Sequence, residues 1–117
     1  MPAVGGDLEV GPSAPGASGS TTAASLLIRR GPGAGSRFIL KGDTTVIGRH
    51  GDCDLRLDDV TVSRRHAVIE RSADRYVLRD LGSLNGTYVH LERIGETPLR
   101  HGDELRIGRY ELVFLQR

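Results

Sequence analysis

Apolar residues in this chain come in short runs, many of them alternating with polar residues, and turn-forming residues interrupt them every few positions. A period of two is typical of β-strands with one buried face. No window of a dozen residues shows a sustained period of 3.6, so few or no helices are expected. Strands are predicted at residues 25–29, 36–40, 44–47, 54–57, 66–70, 75–79, 87–89, 104–107 and 110–115.

Many short strands separated by turns predict an all-β fold, an antiparallel sandwich or barrel. Residues 1–24 differ, because Gly, Pro, Ala, Ser and Thr dominate them. Such a segment buries too little apolar surface to offset the ordering of its backbone, about 1–2 kcal/mol per residue. We therefore predict a disordered tail at 1–24 and one domain at 25–117.

Composition narrows the classes of partner. The net charge is only +1, so no basic surface that would attract nucleic acid is expected. Aromatic residues are 4% of the chain, so few side chains are available to stack on bases. No apolar run approaches the length of a membrane span, and no secretory signal pattern begins the sequence. A single cysteine, Cys53, excludes an internal disulfide and fits a reducing compartment. The expected location is the cytoplasm.

Candidate chemistry lies around the segment Thr-Val-Ser-Arg-Arg-His at 61–66. Arg49 and Arg64 supply guanidinium groups, and Ser63 supplies a hydroxyl donor, which together suit an anion such as a phosphate. Asn85 carries an amide that both donates and accepts hydrogen bonds. Since a sandwich gathers its loops at one end, these side chains are expected to meet there.

Each of these residues also has a plain structural interpretation. Arg49 could be a solvated loop arginine, and Ser63 could bond its own turn. Ser63 and His66 could also form an acyl-transfer triad with Asp58, Asp59 or Asp80. No G-x-S-x-G sequence supports a triad, and residues three apart on a strand face opposite sides.

A cluster of His, Cys and Asp at 50–54 is too tightly spaced for a closed tetrahedral metal site. The spacing therefore predicts no metal site. Because no triad sequence is present either, we predict no enzyme activity, and no cofactor is expected.

The order and separation of several residues resemble a forkhead-associated (FHA) domain over roughly residues 25–117. The residues that carry the resemblance are Gly48, Arg49, Ser63, His66, Asn85 and Gly86. It implies an antiparallel β-sandwich of about eleven strands that binds phosphothreonine peptides.

The resemblance also implies roles for single residues. Arg49, Ser63 and Arg64 would contact the phosphate, and Asn85 would hold the backbone of the bound peptide. His66 would brace the loop that presents Ser63, so it would be structural rather than catalytic. The implied supporting residues are Gly48, His66, Gly86 and Thr87.

Three neighbours of the pattern have other expected roles. Arg65 follows Arg64 by one residue and is expected to be a solvent or rim charge. Arg109 repeats an Ile-Gly-Arg sequence but leads directly into a strand, so it is expected to be an exposed residue of a tight hairpin. Leu84 stands where some FHA domains have a polar residue.

The predicted function is a phosphothreonine-peptide-binding signalling module, a monomer that recruits phosphorylated partners in Ser/Thr kinase pathways. Its expected partners are phosphothreonine-containing proteins, either a Ser/Thr protein kinase or its substrates, with no nucleic acid and no membrane. The distant alternative is a small Ser/His hydrolase.

A more specific resemblance points to bacterial regulators of the GarA/OdhI type. It rests on residues 30–38, 57–67 and 82–89. Those proteins regulate 2-oxoglutarate-consuming and glutamate-producing enzymes, and their own FHA site captures a phosphorylated threonine of an acidic motif in the N-terminal tail. A regulator of 2-oxoglutarate and glutamate metabolism is therefore the alternative function.

The tail switch of those regulators is not matched here. Thr21 and Thr22 have no acidic neighbour, and a linker of only about four residues joins them to Leu26 in the first predicted strand. Such a linker spans roughly 14 Å at most, whereas the fold places the termini a strand length from the ligand loops. Self-capture of these threonines is not expected.

Overall fold

The computed structural model describes residues 23–117, which form no helix and eleven β-strands. The all-β prediction and the expected number of strands are confirmed. The strands are β1 Ala24–Arg30, β2 Arg37–Ile39, β3 Thr44–Gly48, β4 Leu55–Arg56, β5 Ala67–Ser72, β6 Arg75–Asp80, β7 Thr87–Val89, β8 Glu92–Ile94, β9 Glu96–Leu99, β10 Glu104–Ile107 and β11 Tyr110–Gln116.

The strands form two sheets that pack face to face. One has six strands in the order β2-β1-β11-β10-β7-β8, and the other has five in the order β4-β3-β5-β6-β9. Neighbouring strands are antiparallel except for β3 and β4. These two strands are parallel, with Ile47 opposite Leu55. The sandwich is therefore antiparallel as predicted, with one short parallel edge.

Alternation along the strands creates the core between the sheets. In β1, Leu26 and Ile28 are buried, and in β10, Leu105 and Ile107 are buried. The rings of Tyr76 and Phe114 meet across the core at a centroid distance of 5.3 Å. Such tilted aromatic pairs add to the stabilisation that burial provides.

Strands β8 and β9 were not predicted. Both are sheet edges that begin with glutamate, and β9 contains Pro98, which fits an edge strand because proline cannot donate to a ladder. Half-exposed, polar edges do not show the alternation on which a sequence-based prediction depends. The predicted hairpin at Gly108 and Arg109 is present, with Ile107 paired to Tyr110.

The described chain enters the sandwich at the end opposite this hairpin. The Arg117 N–H donates to the Ala23 carbonyl at 3.0 Å, and the seven residues of β1 then run about 20 Å towards the hairpin end. Strand β1 begins at Ala24, one residue before the predicted start. Residues 1–22 of the predicted tail, including Thr21 and Thr22, lie outside the described residues.

Within residues 23–117, no helix has the length and apolarity that crossing a membrane requires.

Candidate functional site

Loops between β3 and β4, between β4 and β5, and between β6 and β7 meet at the hairpin end of the sandwich. Arg49 joins the first two loops, since its backbone N–H donates to the Ser63 carbonyl at 3.0 Å and its Nε donates to the Val62 carbonyl at 3.1 Å. The Arg49 side chain is exposed beyond these contacts. Among residues 23–117 it forms no salt bridge, so its guanidinium has no carboxylate within 4 Å there.

Gly48 permits this close approach of the loops. A Cβ at position 48 would lie 2.1 Å from the Arg64 carbonyl oxygen, far inside contact distance. The backbone atoms involved cannot swing away as a long side chain could. Glycine is therefore required here by space, and the supporting role expected for Gly48 agrees with this geometry.

The Ser63 hydroxyl and the Asn85 amide connect the second and third loops. The Leu84 N–H donates to Ser63 Oγ at 3.0 Å, and Asn85 Nδ2 donates to the Thr61 carbonyl at 2.9 Å. Ser63 Oγ still has a proton to donate, and the Asn85 amide has an oxygen and a second N–H. These two residues can therefore position the loops and contact a ligand together.

His66 is fully buried beneath these loops and uses both ring nitrogens. Nδ1 accepts a hydrogen bond from the Ser63 N–H at 3.0 Å, and Nε2 donates to the Gly86 carbonyl at 2.9 Å. This pairing needs the neutral ring with its proton on Nε2. Burial lowers the pKa of His66 below its ordinary 6.5, although the Gly86 carbonyl and the Asp80 charge oppose the shift.

Asp80 organises the loop that carries Asn85. Its carboxylate accepts hydrogen bonds from the backbone of Gly82 and Ser83 and from the hydroxyls of Ser83 and Thr87. Burial by itself would raise the pKa of Asp80, but these hydrogen bonds outweigh it and hold the pKa below the ordinary 3.8. The Thr87 hydroxyl donates to the Asp80 carboxylate at 2.7 Å and so links β7 to this loop.

Basic side chains line a hollow on the solvent side of these loops. The hollow, of about 410 Å³, is lined by His50, Arg64 and Arg65, next to Arg49 in the chain. Asp52 partly neutralises this surface, because its carboxylate lies 2.8 Å from Arg65 and 2.6 Å from His50. Among the described residues, Arg64 has no carboxylate partner within 4 Å.

Arg65 is exposed and paired, consistent with the rim charge expected of it. Two large apolar side chains border the same end of the molecule. Val60 and Leu84 are 91% and 84% exposed, and each is followed in the chain by one member of the Thr61–Asn85 hydrogen bond.

Several contributors were not found from the sequence. Thr61 accepts the Asn85 amide at its carbonyl and the Arg109 N–H at its hydroxyl, and it donates to Asp59. Hydrogen bonds from Thr61 lower the pKa of Asp59, with a smaller effect from Arg109. Arg109 is exposed, as expected, but its position ties the hairpin to this loop.

Arg93 also lies at this end of the molecule. A Cβ placed on Gly86 would be 2.8 Å from Arg93 Nε, so the arginine packs directly over that glycine. No signal in the sequence identifies Arg93, because the contact depends on how β7 pairs with β8.

The geometry also bears on the other candidate chemistries. The Ser63 hydroxyl accepts from the Leu84 N–H, whereas the His66 ring bonds the Ser63 backbone N–H and not the hydroxyl, so the hydroxyl-to-imidazole contact of an acyl-transfer triad is not formed. Residues 23–117 contain no group of three His, Cys, Asp or Glu side chains arranged to hold a metal.

Comparison with known proteins identifies the family of this sandwich. The family model described as FHA domain matches residues 45–108, more than half of the chain. The chain belongs to the FHA domain family. The match contains all eight residues that the sequence analysis assigned to the site, whose roles towards a ligand stay predictions.

Two curated relatives of this FHA protein are regulators. It is 57% identical over 90 residues to the oxoglutarate dehydrogenase inhibitor of Corynebacterium jeikeium, covering 77% of this chain and 62% of the relative. It is 53% identical over 90 residues to the glycogen accumulation regulator GarA of Mycolicibacterium smegmatis, covering 77% of this chain and 57% of GarA. The chain thus spans about three fifths of the length of these relatives.

A solved FHA domain from a study of phosphothreonine-dependent FHA interactions has the same fold. Its TM-score to this chain is 0.76 at 34% identity, covering 81% of this chain and 97% of the solved chain.

Proposed function

We propose that this FHA protein binds phosphothreonine-containing segments of partner proteins through the three-loop end of its sandwich. The observation that carries the proposal is that the β3–β4 loop with Arg49 is hydrogen-bonded to the loop with Ser63 and Arg64, at the positions of the FHA pattern. A phosphothreonine carries about −1.5 to −2 charge and three acceptor oxygens, which suit two guanidiniums and a hydroxyl.

Each residue has a separate role in this proposal. The Arg49 fork and the Arg64 guanidinium neutralise the phosphate, and the Ser63 hydroxyl donates to one of its oxygens. Asn85 bonds the backbone of the bound segment with its amide. Gly48, His66, Gly86 and Thr87 shape and brace the loops without touching the ligand, which the burial of His66 supports.

The proposed activity is binding without catalysis. A general base needs a nitrogen within reach of the proton it removes, and both ring nitrogens of His66 are occupied by backbone groups. FHA domains are binding modules, and the two relatives are named as an inhibitor and a regulator.

The partners proposed are phosphothreonine proteins made by a Ser/Thr kinase, or the kinase itself. We place this activity in the cytoplasm, where kinases have ATP, with the chain acting as a monomer and with residues 25–117 as the binding domain.

The test is a titration of a degenerate threonine peptide library in phosphorylated, phosphoserine and unphosphorylated forms, followed by fluorescence anisotropy. Saturable binding of the phosphothreonine form alone is expected. Equal binding of all three forms, or binding of none, would refute the proposal.

A second candidate function is favoured by the curated relatives, the regulation of an enzyme that consumes 2-oxoglutarate. The identities of 57% and 53% to an oxoglutarate dehydrogenase inhibitor and to GarA support it. The assay is the activity of a bacterial oxoglutarate dehydrogenase complex with increasing amounts of this protein. Inhibition that saturates is expected for this candidate, and unchanged activity at a large molar excess would remove it.

A further inference from the structure

The turn between β7 and β8 consists of residues that rarely adopt its backbone conformation. Val89 pairs with Glu92, so His90 and Leu91 form a two-residue hairpin turn. Their φ angles are +51° and +68°, as in a type I′ turn, where Asn and Gly are the preferred residues. A leucine in the left-handed region is strained because its Cβ crowds the backbone, and such outliers often mark functional sites.

Burial does not compensate for this strain. Leu91 is 80% exposed, so its side chain contributes almost nothing to the core. The turn is nevertheless held in place, because the His90 N–H donates to the Glu104 carbonyl at 2.9 Å and His90 Nε2 lies 3.0 Å from Asp103. A strained but anchored turn therefore presents a leucine to solvent.

Leu91 lies at one side of a cleft of about 320 Å³ on the outer face of the six-stranded sheet. We call this the Leu91 cleft, and its charged lining consists of Arg29, Arg30, Glu104, Arg106 and Glu111. Three guanidiniums share two carboxylates there.

The ion pairs in the lining are weak. Arg29 pairs with Glu104 at 3.2 Å, while Arg30 and Arg106 both approach Glu111 at 3.7 Å. All three pairs are exposed, and exposed pairs stabilise little, so a carboxylate from outside can replace or join them readily. The excess of one positive charge favours an acidic occupant.

The Leu91 end of the cleft is remote from the three loops, whereas Arg30, Arg106 and Glu111 line its other end, beside the Gly108–Arg109 hairpin. The turn lies at the far end of β7 from Thr87, which contacts the Asp80 loop, and on the face of the sheet turned away from the core. A partner could therefore occupy both places at once.

We propose that the Leu91 cleft is a second protein-binding site, which takes an acidic segment of a partner protein. A partner apolar side chain packs against Leu91, and a partner carboxylate pairs with Arg29 and Arg106. Because it needs no phosphate, this contact is independent of the proposed phosphothreonine site. When one partner engages both sites, the second contact is intramolecular and raises the total affinity.

The test uses random 16-residue peptides displayed on phage, which carry no phosphate, selected on the wild-type protein. Expected are acidic peptides with an apolar residue whose affinity falls at least tenfold in Leu91→Gly and in Arg106→Ala. The matched control is Ala73→Gly, which removes a positive-φ side chain (φ +58°) from the β5–β6 turn, away from the cleft. Binding should be unchanged in Ala73→Gly and in Arg49→Ala.

Thermal unfolding provides an independent measurement on the same variants. Relief of the turn in Leu91→Gly is expected to raise Tm by roughly 2–6 °C. The proposal is overturned if no peptide prefers wild type to Leu91→Gly, if selected peptides depend on Arg49, or if Leu91→Gly lowers Tm. Loss of phosphopeptide binding in Arg49→Ala is a separate result, so the two proposals fail independently.

Discussion

At the scale of single residues, the site depends on positions whose side chains, or lack of one, allow two loops to touch. Gly48 and His66 illustrate both cases. One leaves room for the Arg64 carbonyl, and the other fills the space beneath Ser63 with a ring that bonds two backbone groups. Neither is expected to contact the ligand, yet both fix the position of the loops that carry the proposed ligand-binding groups.

Gly48→Ala is expected to lower the free energy of unfolding by about 1–3 kcal/mol, the range for overpacking, and to weaken phosphopeptide binding. The reason is the 2.1 Å approach of the new Cβ to the Arg64 carbonyl. Urea denaturation measures the change. Gly51→Ala is the control, since nothing lies within 4 Å of its Cβ, and it should change stability by less than about 0.5 kcal/mol. Equal stability of the two variants would contradict the steric argument.

His66 also predicts a pH dependence. Its folded pKa lies below the unfolded 6.5, so the unfolded chain binds more protons in that interval. Stability is therefore complete above pH 6.5 and falls as the pH drops through 6.5 towards the folded pKa. The measurement is the free energy of unfolding from pH 7.5 to 5 in wild type and His66→Gln. A decrease in wild type that persists unchanged in the variant would show that another group is responsible.

At the scale of strands and loops, the sequence predicts strands with one buried face well and edges poorly. The alternation in β6 and β10 identifies those two strands, because burial of one face dictates it, and short apolar runs identify β1, β5 and β11. Strands β8 and β9 were not predicted because both are edge strands with polar residues, and β9 also contains Pro98, so neither shows a clear apolar pattern.

The same limit applies to the site. Arg49, Ser63 and Asn85 are predicted for the site because they match the FHA pattern, whereas Thr61, Asp59 and Arg93 contact these loops in ways that only the packing of the loops creates.

The β6–β7 loop depends on Asp80, and Asp80→Asn is expected to lower the free energy of unfolding by about 1–3 kcal/mol. The amide cannot accept all of the four hydrogen bonds that the carboxylate accepts from Gly82, Ser83 and Thr87. Hydrogen exchange should rise at the Leu84 and Gly86 amides, which this loop orients. Asp74→Asn, in the exposed β5–β6 turn, is the control. Unaltered exchange in Asp80→Asn would show that the loop is held by other contacts.

At the scale of the whole molecule, the sandwich separates the entry of the described chain from the three-loop end. Ala23 and Arg117 meet at one end, and Arg49, Ser63 and Asn85 lie at the other, with β1 running about 20 Å between them. This separation accords with the expectation that a threonine next to residue 23 does not reach the site of its own chain. Under the proposed function, this separation favours binding to a threonine of another molecule.

The measurement that tests the central claim most directly is phosphopeptide affinity in Arg49→Ala compared with Arg109→Ala. Both arginines follow Ile-Gly and both are exposed at the same end of the molecule, so they differ mainly in whether the side chain faces the proposed phosphate. Using a phosphothreonine peptide that wild type binds, Arg49→Ala should cost about 2–5 kcal/mol of binding free energy. Arg109→Ala should cost less than about 1 kcal/mol. Equal affinities of the two variants would contradict the assignment of Arg49 to the phosphate.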